Sequence, residues 1–449
     1  MRNSSTTVLT RSYSTKFLLS VALGLALVLR LVAIFVAGDL STRAVIWEYG
    51  EEAQCALEHA TDLCRTYPTG NDIFPTAYVP PLLGYLWWGL FQLFGDGMLA
   101  RAIWLAASTA AALGCVALTF YLCRKLLRSR AVAFTAACLV AVYPTFVFVS
   151  STYHQTNWAV LSLLAVAAIA VKLSEGASPW RYGALGGIVC GLSALNRTEM
   201  LIIGPVLIAI GALWQRNLVN VVKVGLVTLV MMVVVLAPWT IRNYHLFGHV
   251  IPTAQSQGYN LWKGYNPYTS GSGNEGEDPA GPGGAAVIRI RDSVPYGPGY
   301  ETRVQDAYMD AFKADVHSSS TGRLVKLVLN KIAMLWVFDW TDRQVTGTAA
   351  YLIPWCVTNL LALFGVVIAW RNRRRIALAP ACIYTAAVLL LTGAYAITSV
   401  LARYRMNIEP FIFMLTALGA VAIWNRIRGD SWRLPQDEEA GMVEETATG

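Results

Sequence analysis

Long stretches without a charged residue recur along this chain, and they constrain it more than any other feature. Ala102–Cys123 runs 22 residues, Val224–Ile241 runs 18, and Gln344–Trp370 and Ile376–Ala402 run 27 each. About 20 apolar residues cross the ~30 Å hydrocarbon core of a bilayer. Ala131–Val171 is 41 residues long and is interrupted only by His154, which suits two spans with a turn near Ser150–Asn157. Phe17–Gly38 carries only Arg30, and the shorter pair Tyr182–Asn196 and Met200–Gln215 is separated by Arg197, Thr198 and Glu199. A last span starts near Arg405 and ends near Trp424. This makes ten expected spans, each a helix, because the backbone must satisfy its own hydrogen bonds in lipid. Charged residues are 14% of the 449, against about 25% in soluble domains. A soluble enzyme, a disordered scaffold and a disulfide-stapled mini-protein are excluded.

Ile73–Gly95 is also uncharged, but it contains Pro75, Pro80 and Pro81, so regular helix is confined to Leu82–Phe94. Thirteen residues rise roughly 20 Å, short of a full crossing. The segment is read as a re-entrant or interfacial helix. With the N-terminus in the cytoplasm, segments 1–16, 124–130, 172–181, 216–223, 371–375 and 426–449 face inward and hold 18 of the 35 Lys and Arg. That bias follows the positive-inside rule. The net charge of +8 is therefore a topology signal and not a sign of nucleic-acid binding. Phe17–Leu29 has the length of a signal-peptide core, but apolar sequence continues past Arg30 to Val36, so a retained first span is expected.

The expected organisation is a cytoplasmic N-terminus (1–16), one transmembrane domain (17–425) and a cytoplasmic acidic tail (426–449). Two long outer loops interrupt the domain, at 38–97 and 240–345. In the first, Arg43 and Arg65 face seven acids between Asp39 and Asp72. Cys55 and Cys64 alone share that loop and can pair if the compartment is oxidising. In the second, Ser270–Gly299 has eight Gly and four Pro in 30 residues, which predicts a mobile loop without a core. Val304, Tyr308, Phe312 and Val316 then repeat every four residues and predict an amphipathic helix. Arg323–Phe338 is apolar but carries Lys326 and Lys331, so it is expected to lie on the membrane surface.

Charges at span ends are costly and mark candidate sites. Glu48, Glu51 and Glu52 lie in the first outer loop, and His154 and Asn157 in the turn between the third and fourth spans. Arg197 and Glu199 lie between the fifth and sixth, Arg242, His245 and His249 after the seventh, and Arg403, Arg405 and Glu409 at the start of the last. All fall on the predicted outer side. Arginines that hold a phosphate and a carboxylate that activates a nucleophile suit chemistry on an anionic lipid headgroup. Each has a plainer reading. The three glutamates can be a solvated helix face, Arg30 can pair within its helix, Arg101 can anchor at the interface, and His245 and His249 can be surface residues.

Four blocks carry a resemblance. They are Trp47–Ala53 with Pro75–Leu86, Gly191–Glu199, Ala237–Tyr244 with Gly258–Pro267, and Arg403–Phe411. In this order they resemble the GT-C fold glycosyltransferases, specifically the bacterial family-39-like branch related to protein O-mannosyltransferases and the lipid A aminoarabinose transferase. The resemblance implies an all-α polytopic fold of about ten spans plus the short helix. It implies transfer of a hexosyl or pentosyl unit from a polyprenyl-phosphate donor to a glycan, lipid or protein acceptor hydroxyl at the outer face of the cytoplasmic membrane, with inversion. An acid of the first outer loop would be the base. A Glu of ordinary pKa is ionised at neutral pH and serves.

Relatives commonly carry an adjacent acidic pair, whereas this chain has Glu48 and then Glu51–Glu52. Three-residue spacing puts Glu48 and Glu51 on one helix face, so Glu48 is expected as base and Glu51 as its partner, with Glu52 beside the substrate. Arg403 and Arg405, then Arg197 and Arg242, are expected to hold phosphate. Tyr78 and the helix after Pro80 would wall the site, with His154 and Asn157 lining it. Relatives often have an acid where Asn157 stands. No cofactor is expected, and at most a weakly held divalent cation, since no acidic triad or His cluster is present. A polytopic lipid or solute transporter is the competing reading.

Overall fold

The computed structural model describes residues 13–68, 72–341 and 348–429. Helix α1 (Thr15–Ala37) starts where the Ser14 hydroxyl accepts from the Phe17 amide. The first loop holds α2 (Trp47–Glu58), the strands β1 (Cys64–Thr66) and β2 (Ile73–Pro75), and α3 (Leu82–Phe94). The strands pair antiparallel with Arg65 opposite Phe74. Next come α4 (Met98–Leu127), α5 (Arg130–Val142), α6 (Pro144–Val149), α7 (Thr156–Ser174), α8 (Pro179–Ala194), α9 (Met200–Leu213) and α10 (Leu218–Phe247). The large loop contains α11 (Gln257–Tyr265), α12 (Gly273–Gly276), α13 (Pro282–Asp292), α14 (Tyr300–Ser318) and α15 (Thr321–Trp336). The chain closes with α16 (Ala349–Arg371), α17 (Leu378–Ile397), a 3₁₀ turn at Ala402–Asn407 and α18 (Glu409–Ile427).

Seven of these helices (α1, α4, α7, α10, α16, α17 and α18) are long and apolar enough to cross a membrane, among the described residues. The protein is an integral membrane protein. Three of the ten expected spans are shorter helices, α5, α8 and α9, of 13, 16 and 14 residues. Tyr143 and Pro144 break the stretch after α5, because proline cannot continue a helix from behind. The expected 13-residue helix Leu82–Phe94 is present as α3. The start of the eighth span and the acidic tail from residue 430 lie outside the described residues.

Lipid tails are as apolar as leucine, so helices associate by close packing of small residues. A Cβ on Gly365 of α16 would lie 2.0 Å from the Leu415 carbonyl oxygen, and one on Gly419 of α18 would lie 2.2 Å from that of Leu361. Arg30 is fully buried within α1. Its guanidinium donates to the carbonyls of Ala26, Ala141 and Val140, which caps the end of α5 left open by Pro144. Its plain reading therefore extends beyond its own helix.

The glycine-rich part of the large loop differs from the sequence reading. It holds α12 and α13, and Ala286 and Val294 are buried in a small core with Trp262, Tyr300, Val304 and Tyr308. Glycine here permits contact and does not signal mobility: a Cβ on Gly276 would sit 2.2 Å from the Lys263 carbonyl oxygen. The expected amphipathic helix is α14, with Val304 and Tyr308 inward. Helix α15 also departs from expectation. Lys331 is fully buried and its ammonium lies 3.4 Å from the centre of the Tyr265 ring. Burial, with some repulsion from Arg323, lowers its pKa to about 7.

Candidate functional site

Helix α2 begins at a strained residue. Trp47 has φ of 58°, a left-handed conformation that is an outlier for so bulky a side chain. Such strain persists where surrounding contacts over-determine it, commonly at functional sites. The Trp47 ring meets the His154 ring edge-on at 4.9 Å, and the Arg403 guanidinium lies 5.5 Å from its centre. Cys55 and Cys64 form a disulfide that ties the end of α2 to β1. Arg65, next to it, stacks 4.4 Å over the Tyr78 ring.

The three glutamates of α2 separate by face. Glu51 is exposed, Glu48 is half-buried, and Glu52 is buried with one carboxylate oxygen lacking any hydrogen bond. Burial pushes the Glu52 carboxyl well above the usual range, against the pull of Arg65. Glu48 lies within electrostatic reach of Glu52, Arg65 and Tyr78. The inward pair is thus Glu48 with Glu52, four apart, and the expected pairing of Glu48 with Glu51 is not what α2 presents.

The expected phosphate-binding arginines also separate. Arg405 is buried and donates to the carbonyls of Trp336 (2.5 Å) and Val337 (3.2 Å) and to Asn359 (2.8 Å), with Glu409 3.4 Å away. It closes the end of α15. Arg242 donates to Asp62 (2.7 Å) and to the carbonyls of Thr76 and Leu63, which staples α10 to the first loop. Burial raises the Asp62 carboxyl, but bonding to Arg242 holds it below its ordinary value. Arg197 pairs with Glu199 (2.8 Å), donates to the Tyr395 hydroxyl (3.1 Å) and lies 5.0 Å from the Tyr404 ring. With its amide turned to satisfy both ends, Gln155 accepts from Arg197 at 2.9 Å and from the Tyr49 hydroxyl at 2.6 Å. Burial pushes Glu199 up, yet the Arg197 charge leaves it below the usual carboxylate range. Arg403 alone of the four makes no hydrogen bond or ion pair among the described residues; it rests on the Trp47 and Tyr404 rings.

His154 is buried, its Nδ1 is 2.6 Å from the Thr156 hydroxyl, and burial together with the charges of Arg403 and Arg197 holds its pKa well below 6.5. It is neutral at physiological pH. Asn157 is also buried and donates to Ser108 and Ser150, tying α7 to α4, while its Oδ1 has no hydrogen-bond partner. His245 and His249 are exposed. Of the residues brought together, Arg65, Gln155, Tyr395 and Tyr404 were missed by sequence reasoning. Arg65 was visible as one of two cations in an acidic loop. The only group with metal-ligand spacing among the described residues is Cys55, His59 and Cys64, and its thiols are joined in the disulfide.

Over 91–93% of its length the chain superposes on the oligosaccharyltransferase of Archaeoglobus fulgidus. The TM-score is 0.54 with 14% identity for a complex with an inhibitory peptide and a dolichol-phosphate, and 0.53 with 15% identity for a complex with zinc and sulfate. The chain has the GT-C fold. It spans about half the length of those chains, 51% and 49%. Residues 78–241 match the family model of dolichyl-phosphate-mannose-protein mannosyltransferases. A 176-residue stretch, 37% of the chain, is 30% identical to an undecaprenyl phosphate-α-4-amino-4-deoxy-L-arabinose arabinosyl transferase of Pseudomonas fluorescens and covers 29% of that relative. Parts of the chain are thus similar to an aminoarabinose transferase and to the O-mannosyltransferase family.

Proposed function

We propose that this protein transfers a monosaccharide from a polyprenyl-phosphate donor to an acceptor hydroxyl, with inversion. The observation that supports this most is that the buried Tyr49 lies within electrostatic reach of both a half-buried carboxylate (Glu48) and a guanidinium (Arg403), neither of which has a hydrogen bond or ion pair among the described residues. Glu48 takes the acceptor hydroxyl proton as that oxygen attacks the anomeric carbon from the face opposite the phosphate. The carbon–oxygen bond to phosphate breaks and its electron pair leaves on the lipid phosphate. Arg403 stabilises that charge, and placed donors of this kind act strongly where water is excluded. Arg197, held by Glu199 and Gln155, supports Tyr404 and Tyr49 around the phosphate. Neutral His154 orients Trp47 and adds no competing charge.

The relatives' names carry the polyprenyl-phosphate donor to this chain as part of the proposal. The acceptor is a glycan, lipid or protein hydroxyl. The positive-inside bias supports a cytoplasmic-membrane location with both termini cytoplasmic and this chemistry outside. A transporter is not favoured, because the unpaired charges collect at helix ends and loops instead of at broken helices near the midplane.

The test is transfer from a radiolabelled polyprenyl-phosphate sugar pool in membranes carrying wild type, Glu48→Gln or Glu51→Gln, with folding checked by detergent gel filtration. Loss in folded Glu48→Gln with Glu51→Gln near wild type is expected. Equal transfer by all three overturns the assignment of Glu48.

A further inference from the structure

The hairpin of the first loop and helices α11, α13 and α14 line a half-open cavity of about 460 Å³, within the ~300–1,000 Å³ typical of small-ligand sites. Six aromatic rings line it: Tyr67, Phe74, Tyr78, Tyr259, Tyr300 and Tyr308. Around them stand Arg65, Arg291, Glu301 and Gln305. The first and last of the arginine–carboxylate set differ in their bonding. Glu301 accepts from the Thr76 hydroxyl (2.5 Å), the Ala77 amide (2.8 Å) and Gln255 (2.6 Å), so it fixes the large loop onto the first. Arg65 makes no hydrogen bond or ion pair among the described residues, and the Tyr300 hydroxyl is buried without a partner.

We infer that this cavity binds a sugar ring of the acceptor, which makes the acceptor a glycan. The inference rests on the transferase reading. A pyranose presents a face of weakly positive C–H groups, which packs on the negative face of aromatic rings. Its hydroxyls need donors and acceptors at the ring edge, and the unpartnered Arg65 guanidinium and Tyr300 hydroxyl supply them. The position also suits an acceptor. Glu48 lies within electrostatic reach of the cavity residues Arg65 and Tyr78, and its neighbour Trp47 meets Arg403 and His154. One carboxylate is thus within electrostatic reach of an acceptor ring in the cavity, and its neighbouring residue touches the arginine proposed to hold the donor phosphate.

Saturation-transfer NMR on the full chain in nanodiscs tests the inference without donor or turnover. The probes are methyl glycosides of glucose, galactose, mannose and arabinose, and a Ser/Thr-rich peptide. At least one glycoside is expected to bind, and Tyr67→Ala and Arg291→Met, at half-buried positions away from Glu48, are expected to weaken it about tenfold, some 1.4 kcal/mol. Tyr300→Phe, which removes one hydroxyl and keeps the ring, guards against misfolding and should weaken binding severalfold. Binding of the peptide alone, or glycoside binding indifferent to all three variants, overturns the inference. Read beside the transfer assay above, an inactive protein that still binds glycosides would sink the transferase reading and leave the sugar site. An active transferase with no glycoside binding would do the reverse.

Discussion

Arg403 and Arg405 stand two residues apart on one 3₁₀ turn, yet their surroundings are opposite. Arg405 is buried with its donors directed to two helix-end carbonyls, an amide and Glu409. Arg403 lies on two aromatic rings with no polar partner among the described residues. The same division runs through the molecule. Arg30 caps α5, Arg101 pairs with Asp96 at 2.5 Å, and Arg242 staples α10 to the first loop, whereas among the described residues Arg65 and Arg403 rest on rings and make no hydrogen bond or ion pair. A buried charge is expensive unless it is paired. A guanidinium left unpaired beside the proposed base is available to a ligand in a way that a saturated one is not. Position at a span end marks both kinds alike; the identity of the partners separates them.

Four substitutions would break or sharpen this contrast. The largest effect is expected for Glu48→Gln, which should lower transfer about 10²–10⁴-fold, the usual contribution of a positioned base, without changing the melting temperature. A folded variant with normal transfer would remove Glu48 from the mechanism. Arg405→Met should act on folding instead. It leaves Glu409 buried and uncompensated, at a cost of roughly 3–5 kcal/mol, and should show as lost monodisperse protein on gel filtration. A stable Arg405→Met with selectively impaired donor use would reverse the roles of the two arginines. Arg403→Met should keep its fold and lower kcat about 10²-fold, as for loss of one charge-stabilising donor; unchanged kcat would show that phosphate is held elsewhere.

Glu52→Gln should have the smallest effect. Burial raises the folded-state pKa of Glu52, so the folded chain holds that proton more tightly than the unfolded chain. The resulting stability is full below the ordinary carboxyl range near ~4.3 and is lost as pH rises through the folded value. A glutamine, neutral throughout, should flatten this dependence and raise the melting temperature at pH ~8 on the order of 2 °C. Melting curves from acidic to mildly alkaline pH check the sign. A variant less stable than wild type at pH ~8 would show that Glu52 is ionised and paired in the fold.

Much of the architecture was legible beforehand. Apolar runs place the seven described helices long enough to cross a membrane, Pro81 precedes α3, and the four-residue period marks α14. These features rest on local chemistry, since a bilayer reads apolar length and proline acts on its own turn. The count of ten spans against seven sufficiently long helices shows the limit: composition does not reveal that Tyr143–Pro144 ends α5 after 13 residues. The glycine-rich loop misled for a related reason. Glycine serves both a mobile chain and a close backbone contact, and only the neighbours decide which.

The sequence by itself determined that this is a helical membrane protein with acids and arginines at the ends of its spans, and it carried the resemblance to the GT-C transferases. Tertiary structure alone decided which of those charges remain unpaired. Hydrophobic length is a property of a segment and can be read along the chain. Whether Arg403 or Arg405 is saturated depends on carbonyls and rings contributed by α2, α15 and α16, which come together only when the chain is folded.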